Sequence, residues 1–147
     1  MEAYLGIDVG SVTTKFAVLD GNDELVTSLY LLTQGKPLEI VQQGLRQIKE
    51  QLPEDIDICG VATTGSARYL AGVIVGADLI KNEITSHAVA STHYIPQAQT
   101  IIEIGGQDSK IIIVRDGIVT DFGMNTVCAA GTGSFLDHQA LRLNMTI

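Results

Sequence analysis

"GIDVGSVTTK", Gly6–Lys15, places an acidic residue at the end of an apolar run, just ahead of a glycine and a cluster of hydroxyls. The run leading into it, "AYLGIDVG" (Ala3–Gly10), reads as a strand that ends in a glycine turn. "KFAVLD" (Lys15–Asp20) reads as the strand that leaves the turn. Glycine permits close backbone approach, and successive N–H groups in such a turn form a concavity that attracts anions. The pattern returns late in the chain. "TIIEIG" and "SKIIIVRDGIVTDFGM" again predict strand, glycine turn, strand, tight "DG" turn and strand, with Glu103-Ile104-Gly105-Gly106 echoing Asp8-Val9-Gly10-Ser11. Two lobes of one topology, each with a glycine hairpin, suit the holding of a polyphosphate between them. Neither hairpin is a Walker loop, because no G-x-x-x-x-G-K-[ST] occurs, and no G-x-G-x-x-G opens a helix after a strand.

Between the two echoes the pattern is mixed α/β. Gly21-Asn22-Asp23 turns the chain into a third strand, "ELVTSLYLLT". "PLEIVQQGLRQIKEQL" (Pro37–Leu52) predicts an amphipathic helix, with Pro37 in its first turn and Ile40, Val41, Leu45, Ile48 and Leu52 largely on one face. "IDICGVATTG" is β-rich and is expected to be buried on both faces, as central parallel strands are, which makes Cys59 a core thiol. Helices are expected around Ala67–Val73 and Asn82–Tyr94, and "IPQAQT" (Ile95–Thr100) is the expected boundary between domains 1–98 and 99–147.

Bulk properties narrow the function. A chain of 147 residues with 46% hydrophobic and 18% charged residues supports a real core and argues against disorder. A net charge of −8 opposes nucleic-acid binding through a general basic field. No apolar run approaches the roughly 20 residues that a membrane helix needs. The opening "MEAYLGID" has neither a basic region nor a hydrophobic signal core, so a cytoplasmic location without membrane attachment is expected. Two cysteines, Cys59 and Cys128, do not make a disulfide framework.

Cys128 stands in "NTVCAAGTGSFLDH" (Asn125–His138), ahead of small residues that open into a predicted helix. A thiolate is stabilised at a helix N-terminus by exposed N–H groups and the helix dipole. A small thiol packed under a loop fits the same residues equally well.

"GIDVGSVTTK" resembles the first phosphate motif of the actin, Hsp70 and sugar-kinase superfamily, and "EIGGQDSK" (Glu103–Lys110) resembles a narrower form of its second. Together with "MNTVCAAGTGSFLD" (Met124–Asp137), "TTGSAR" (Thr63–Arg68) and "EITSHA" (Glu83–Ala88), they resemble the BadF/BadG/BcrA/BcrD ATPases. Within that family the likeness is to activators of (R)-2-hydroxyacyl-CoA dehydratases, such as the 2-hydroxyglutaryl-CoA enzyme. It implies an actin/Hsp70/sugar-kinase-like (ribonuclease H-like) fold, a mixed sheet flanked by helices, with the second lobe truncated. It also implies an ATP-driven electron donor. A [4Fe–4S] cluster bridges two identical subunits, two cysteines coming from each, and the electron passes to a dehydratase or a benzoyl-CoA-type reductase.

By the same resemblance Cys128 is a cluster ligand, and Asp8 and Glu103 hold magnesium through water. Gly10, Ser11, Val12, Thr13, Gly105 and Gly106 bind the ATP phosphates, and Gln107 or Asp108 orients the attacking water. Glu103 stands where many relatives carry Asp. The family's second cysteine ligand lies further along the chain than Ile147, so the sequence reads as an N-terminal part that neither assembles a full cluster nor turns over ATP well by itself. The competing readings are a small-molecule kinase of the same superfamily and a non-catalytic nucleotide-binding module. Cys128 speaks against the kinase, which has no need of a cysteine there. Lys15 either adds charge or is solvated, Lys110 is read as a strand-edge surface residue, and Arg68 either reaches out, toward the nucleotide cleft or the partner subunit, or is solvated at a helix start. His87, His93 and His138 lack a metal-ligand pattern and are read as structural or surface residues.

Overall fold

Ala3, Leu5, Ile7 and Val9 alternate along one face of the first strand, and all four are buried. The computed structural model describes residues 1–125 and 132–146; Cys128 and the small residues after it lie outside the described residues. The chain divides into two compact units, Met1–Asn82 and Glu83–Ile147.

In the first unit β1 (Glu2–Val9), β2 (Thr13–Asp20), β3 (Leu25–Leu32), β4 (Asp57–Thr64) and β5 (Leu79–Ile80) form one sheet in the order β3-β2-β1-β4-β5. The meander β1–β2–β3 is antiparallel, whereas β4 and β5 join in parallel, so the sheet is mixed as expected. α1 (Pro37–Gln51) starts on Pro37, carries Glu39 in its first turn and Lys49 in its last, and buries Val41, Gly44 and Ile48. Those residues and Ala71 of α2 (Arg68–Val75) close over Ala3, Leu5, Ile7, Val9, Phe16 and Val18 as one core. Gly44 lies against the Phe16 ring.

β4 departs from the expectation. Its register with β1 passes from Ala3–Ile58 directly to Tyr4–Gly60, so Cys59 is an extra residue in a bulge. α1 and α2 both pack on the core face, and Cys59 is exposed rather than buried. β5 was not expected, because two residues carry no readable period.

The β2–β3 turn is held by Asp20, whose Oδ1 accepts from the Asn22 N–H (2.8 Å) and the Glu24 N–H (3.0 Å). These bonds, the one to Glu24 first, hold its pKa below the usual 3.8. A lowered carboxylate pKa contributes stability that is present above about pH 3.8 and lost as pH falls through the folded value. Asp20→Ala is therefore expected to lower the urea midpoint at pH 7, with the gap to the parent closing as the solution is acidified below that range. A gap that persists at acid pH contradicts this account.

In the second unit β6 (Thr100–Ile104), β7 (Ser109–Arg115) and β8 (Ile118–Met124) make an antiparallel meander. The "DG" turn forms as predicted, with Asp116 and Gly117 at φ 51° and 76°. Ala88 of α3 (Glu83–Tyr94) packs on Ile112 and Val114. This contact places α3 in the second unit, so the units part at Asn82 and not near 98. α4 (Thr132–Arg142) follows. Among the described residues no helix is long and apolar enough to cross a membrane.

Candidate functional site

Each unit carries a hairpin in which an acidic strand end leads into a glycine turn, and the two are built to the same plan. In the first, the Gly10 N–H donates to the Thr13 carbonyl at 2.9 Å; in the second, the Gly105 N–H donates to the Asp108 carbonyl at 2.8 Å. An acid precedes each glycine, and a lysine seven residues beyond that acid lies directly across the hairpin from it, in the pairs Asp8–Lys15 and Glu103–Lys110. Both pairs close, at 2.8 Å and 3.0 Å. The Gly10 and Gly105 amides therefore hold the turns shut, and Ser11 and Val12, or Gly106 and Gln107, form the tips, with Thr13 opening β2. Ser11 and Gln107 are exposed.

The first turn is braced from behind. Thr33 Oγ1 donates to the Gly10 carbonyl (2.9 Å) and lies 3.0 Å from Thr14 Oγ1, while the Thr33 N–H donates to the Val12 carbonyl (2.8 Å). Thr14 and Thr33 are buried, so these polar contacts form where water does not compete. Asp8 gives Oδ2 to Lys15, but its Oδ1 is buried with no hydrogen-bond partner among the described residues. A desolvated carboxylate oxygen of this kind is costly unless something completes it. Its chemistry suits a hard cation or that cation's water shell.

The β4–α2 loop closes on the same strand end. The Ala67 N–H donates to the Val9 carbonyl (3.0 Å), and Ser66 Oγ approaches the same oxygen at 3.4 Å. Gly65 takes φ +92°, and a Cβ there would lie 2.5 Å from Asp8 Oδ1 and against the Val9 carbonyl oxygen. Arg68 turns inward to its own loop: its guanidinium donates to the Gly65 carbonyl (3.1 Å) and lies 4.8 Å from the centre of the Tyr69 ring.

The second turn departs from the sequence reading at Lys110, which is not a surface residue. Its side chain is 3% exposed, and its ammonium meets Glu103 Oε2 at 3.0 Å and Asp108 Oδ1 at 2.8 Å. Burial opposes that charge, but the bonds to Asp108 and Glu103, with the fields of Glu83 and Glu103, outweigh it and raise the ammonium's pKa above the usual 10.5. Glu103 Oε1 lies 4.0 Å from His87 Nε2. Glu103, like Asp8, thus gives one oxygen to a lysine, and its other oxygen lies toward His87. Ser134 Oγ donates to the Gly106 carbonyl (2.7 Å) and the Gly133 N–H to the Gly105 carbonyl (2.9 Å), which ties the start of α4 to this turn. Among the described residues no group of three or more His, Cys, Asp or Glu side chains is arranged to hold a metal ion.

A family model for the BadF/BadG/BcrA/BcrD ATPase family matches residues 5–147. The chain belongs to this family. It is 37% identical over 150 residues to the (R)-2-hydroxyglutaryl-CoA dehydratase activating ATPase of Acidaminococcus fermentans, covering 97% of this chain and 54% of that protein. It is 37% identical over 147 residues to the activator of lactoyl-CoA dehydratase of Anaerotignum propionicum, with the same coverages, 97% and 54%. The solved structure of the activator of the 2-hydroxyisocaproyl-CoA dehydratase from Clostridium difficile with bound ADPNP matches with a TM-score of 0.81 at 32% identity, over 98% of this chain and 53% of that one. The chain spans about half the length of the curated relatives it matches. The backbone likeness bears out the actin/Hsp70/sugar-kinase-like fold.

Proposed function

We propose that this chain is the nucleotide-binding part of an ATP-hydrolysing activator. In that reading the intact protein delivers an electron from a [4Fe–4S] cluster, bridging two identical subunits, to a 2-hydroxyacyl-CoA dehydratase or a benzoyl-CoA-type reductase in the cytoplasm. The observation that carries the reading is the duplicated turn, in which acid, glycine and lysine recur at one spacing on two separate hairpins. Each such turn suits a phosphate group, and the kinship to dehydratase activators supports the choice of reaction. The second unit is read as the beginning of a second lobe.

Asp8 supplies its open Oδ1 to the water shell of a magnesium ion while Lys15 fixes Oδ2. When bound, that ion neutralises phosphate charge. Ser11, Val12, Thr13 and Gly106 offer the hydrogen bonds that hold the phosphates, with Gly10 and Gly105 setting the turns. Gln107 and Asp108, next to Gly106, are the candidates for orienting the attacking water. Glu103 would turn Oε1 to the water shell of the ion while Lys110 holds Oε2. Cys128 is assigned as a cluster thiolate; the cluster, when bound, supplies the low-potential electron.

The test is anaerobic iron and sulfide analysis of the intact protein beside its Cys128→Ala variant, together with calorimetric titration of each with Mg²⁺ and ADPNP. Nucleotide binding by both, with one four-iron cluster per dimer lost in the variant, is expected. Iron-free protein that still binds nucleotide overturns the electron transfer, and absence of nucleotide binding overturns the reading of the turns.

A further inference from the structure

Lys110 is the least expected residue of the second unit: a cation almost wholly withdrawn from water, set beneath a glycine turn and shared by two carboxylates. The two acids flank the turn. A Cβ placed on Gly105 would meet Asp108 Oδ1 at 2.9 Å and Glu103 Oε1 at 3.2 Å, so both carboxylates lie against the turn's backbone. Carboxylates so close to a phosphate-binding turn oppose its task, because like charges in a partly desolvated setting repel strongly. The first turn shows the same solution in milder form, with one acid, Asp8, and a lysine that is 41% exposed.

We propose that Lys110 is a positioning residue that sets the charge of the second turn. By holding Glu103 and Asp108 to one buried ammonium, it keeps both carboxylates oriented and partly neutralised, so that a polyphosphate can approach Gly105 and Gly106. The inference deepens the nucleotide-binding reading above and rests on it. One positive charge against two negative leaves the group with one excess negative charge; removing Lys110 doubles that excess, and removing Asp108 as well restores it. A lysine serving only to fill space would be replaced by methionine without consequence for nucleotide affinity.

The test is calorimetric titration of the intact protein with ADPNP and Mg²⁺, with thermal melts alongside. Lys110→Met is expected to bind about 30-fold more weakly, and Lys110→Met/Asp108→Asn to recover to within about fivefold of the parent, since each unit of like-charge repulsion at this range corresponds to roughly tenfold or more in affinity. A parent that binds no nucleotide overturns the reading of the turns and this inference with it. A parent that binds, with a cooperatively melting Lys110→Met that binds equally well, overturns only the role of Lys110; a double variant no better than Lys110→Met does the same. Should Lys110→Met fail to melt cooperatively, the double variant, which leaves one fewer uncompensated charge, is read in its place. Near-parental affinity then supports the proposal, and a loss as large as 30-fold overturns it.

Discussion

Asp8→Asn in the intact protein is expected to cut ATP hydrolysis about 100- to 1000-fold, the scale on which an electrostatic partner of the reacting phosphates contributes. The substitution keeps size and shape but removes the negative charge from the one buried carboxylate oxygen that has no partner among the described residues. Little of the effect should come from folding. The Asp8–Lys15 pair is partly exposed, 26% and 41%, and pairs of that kind contribute about 0–1 kcal/mol. The discriminating measurement is phosphate release as a function of Mg²⁺ at saturating ATP, beside a thermal melt. A raised magnesium requirement with a nearly unchanged melt assigns Asp8 to the metal. Undiminished hydrolysis removes Asp8 from the site.

The second large effect concerns the loop behind that carboxylate. Gly65→Ala is expected to cost about 2–4 kcal/mol, combining a left-handed backbone that alanine resists with a clash that the surroundings relieve only by moving. The φ of +92° lies beyond the range that non-glycine residues tolerate easily, and the added methyl would press on both the Val9 carbonyl and the Asp8 carboxylate. The loop has little room to retreat. Its backbone is held by the Ala67-to-Val9 hydrogen bond at 3.0 Å and by Arg68, which bonds back to the Gly65 carbonyl through its N–H (3.2 Å) and its guanidinium (3.1 Å). Urea unfolding measures the loss directly, and nucleotide affinity should fall as well because Asp8 is displaced. A loss under about 0.5 kcal/mol, the ordinary range for a neutral surface change, would mean that the loop relaxes freely.

Most of the architecture was legible because alternation and helical spacing were strong where burial is one-sided. Ala3, Leu5, Ile7 and Val9 give their strand away, as do Val41 and Ile48 in α1. The duplicated hairpin was equally visible, since both turns are local in sequence. What escaped depends on contacts that no window of residues contains. Lys110 looked like a strand-edge surface residue; only the register opposite Glu103 and the cover of α3 on that sheet bury it. The constraint on Gly65 comes from Val9 and Asp8, which lie on another strand, so nothing in its own loop announces it. Arg68 was left open between two roles, and its partner turned out to be its own loop. The boundary near 98 was placed at "IPQAQT", whereas the packing of Ala88 on Ile112 and Val114 groups α3 with the strands that follow it.

The bulge at Cys59 has a consequence for how β4 accommodates the loss of a residue. Ile58 and Val61 both pack on the core although three positions separate them, a spacing that would send them to opposite sides of an unbroken strand. The extra residue corrects the parity. Cys59 has no opposite number on β1, and removing it would leave Ile58 facing Ala3, Gly60 facing Tyr4 and Val61 facing Leu5, as they do now. The strand can therefore lose this residue without turning its inward side chains out, which makes the exposed thiol dispensable to the pairing of β4 with β1.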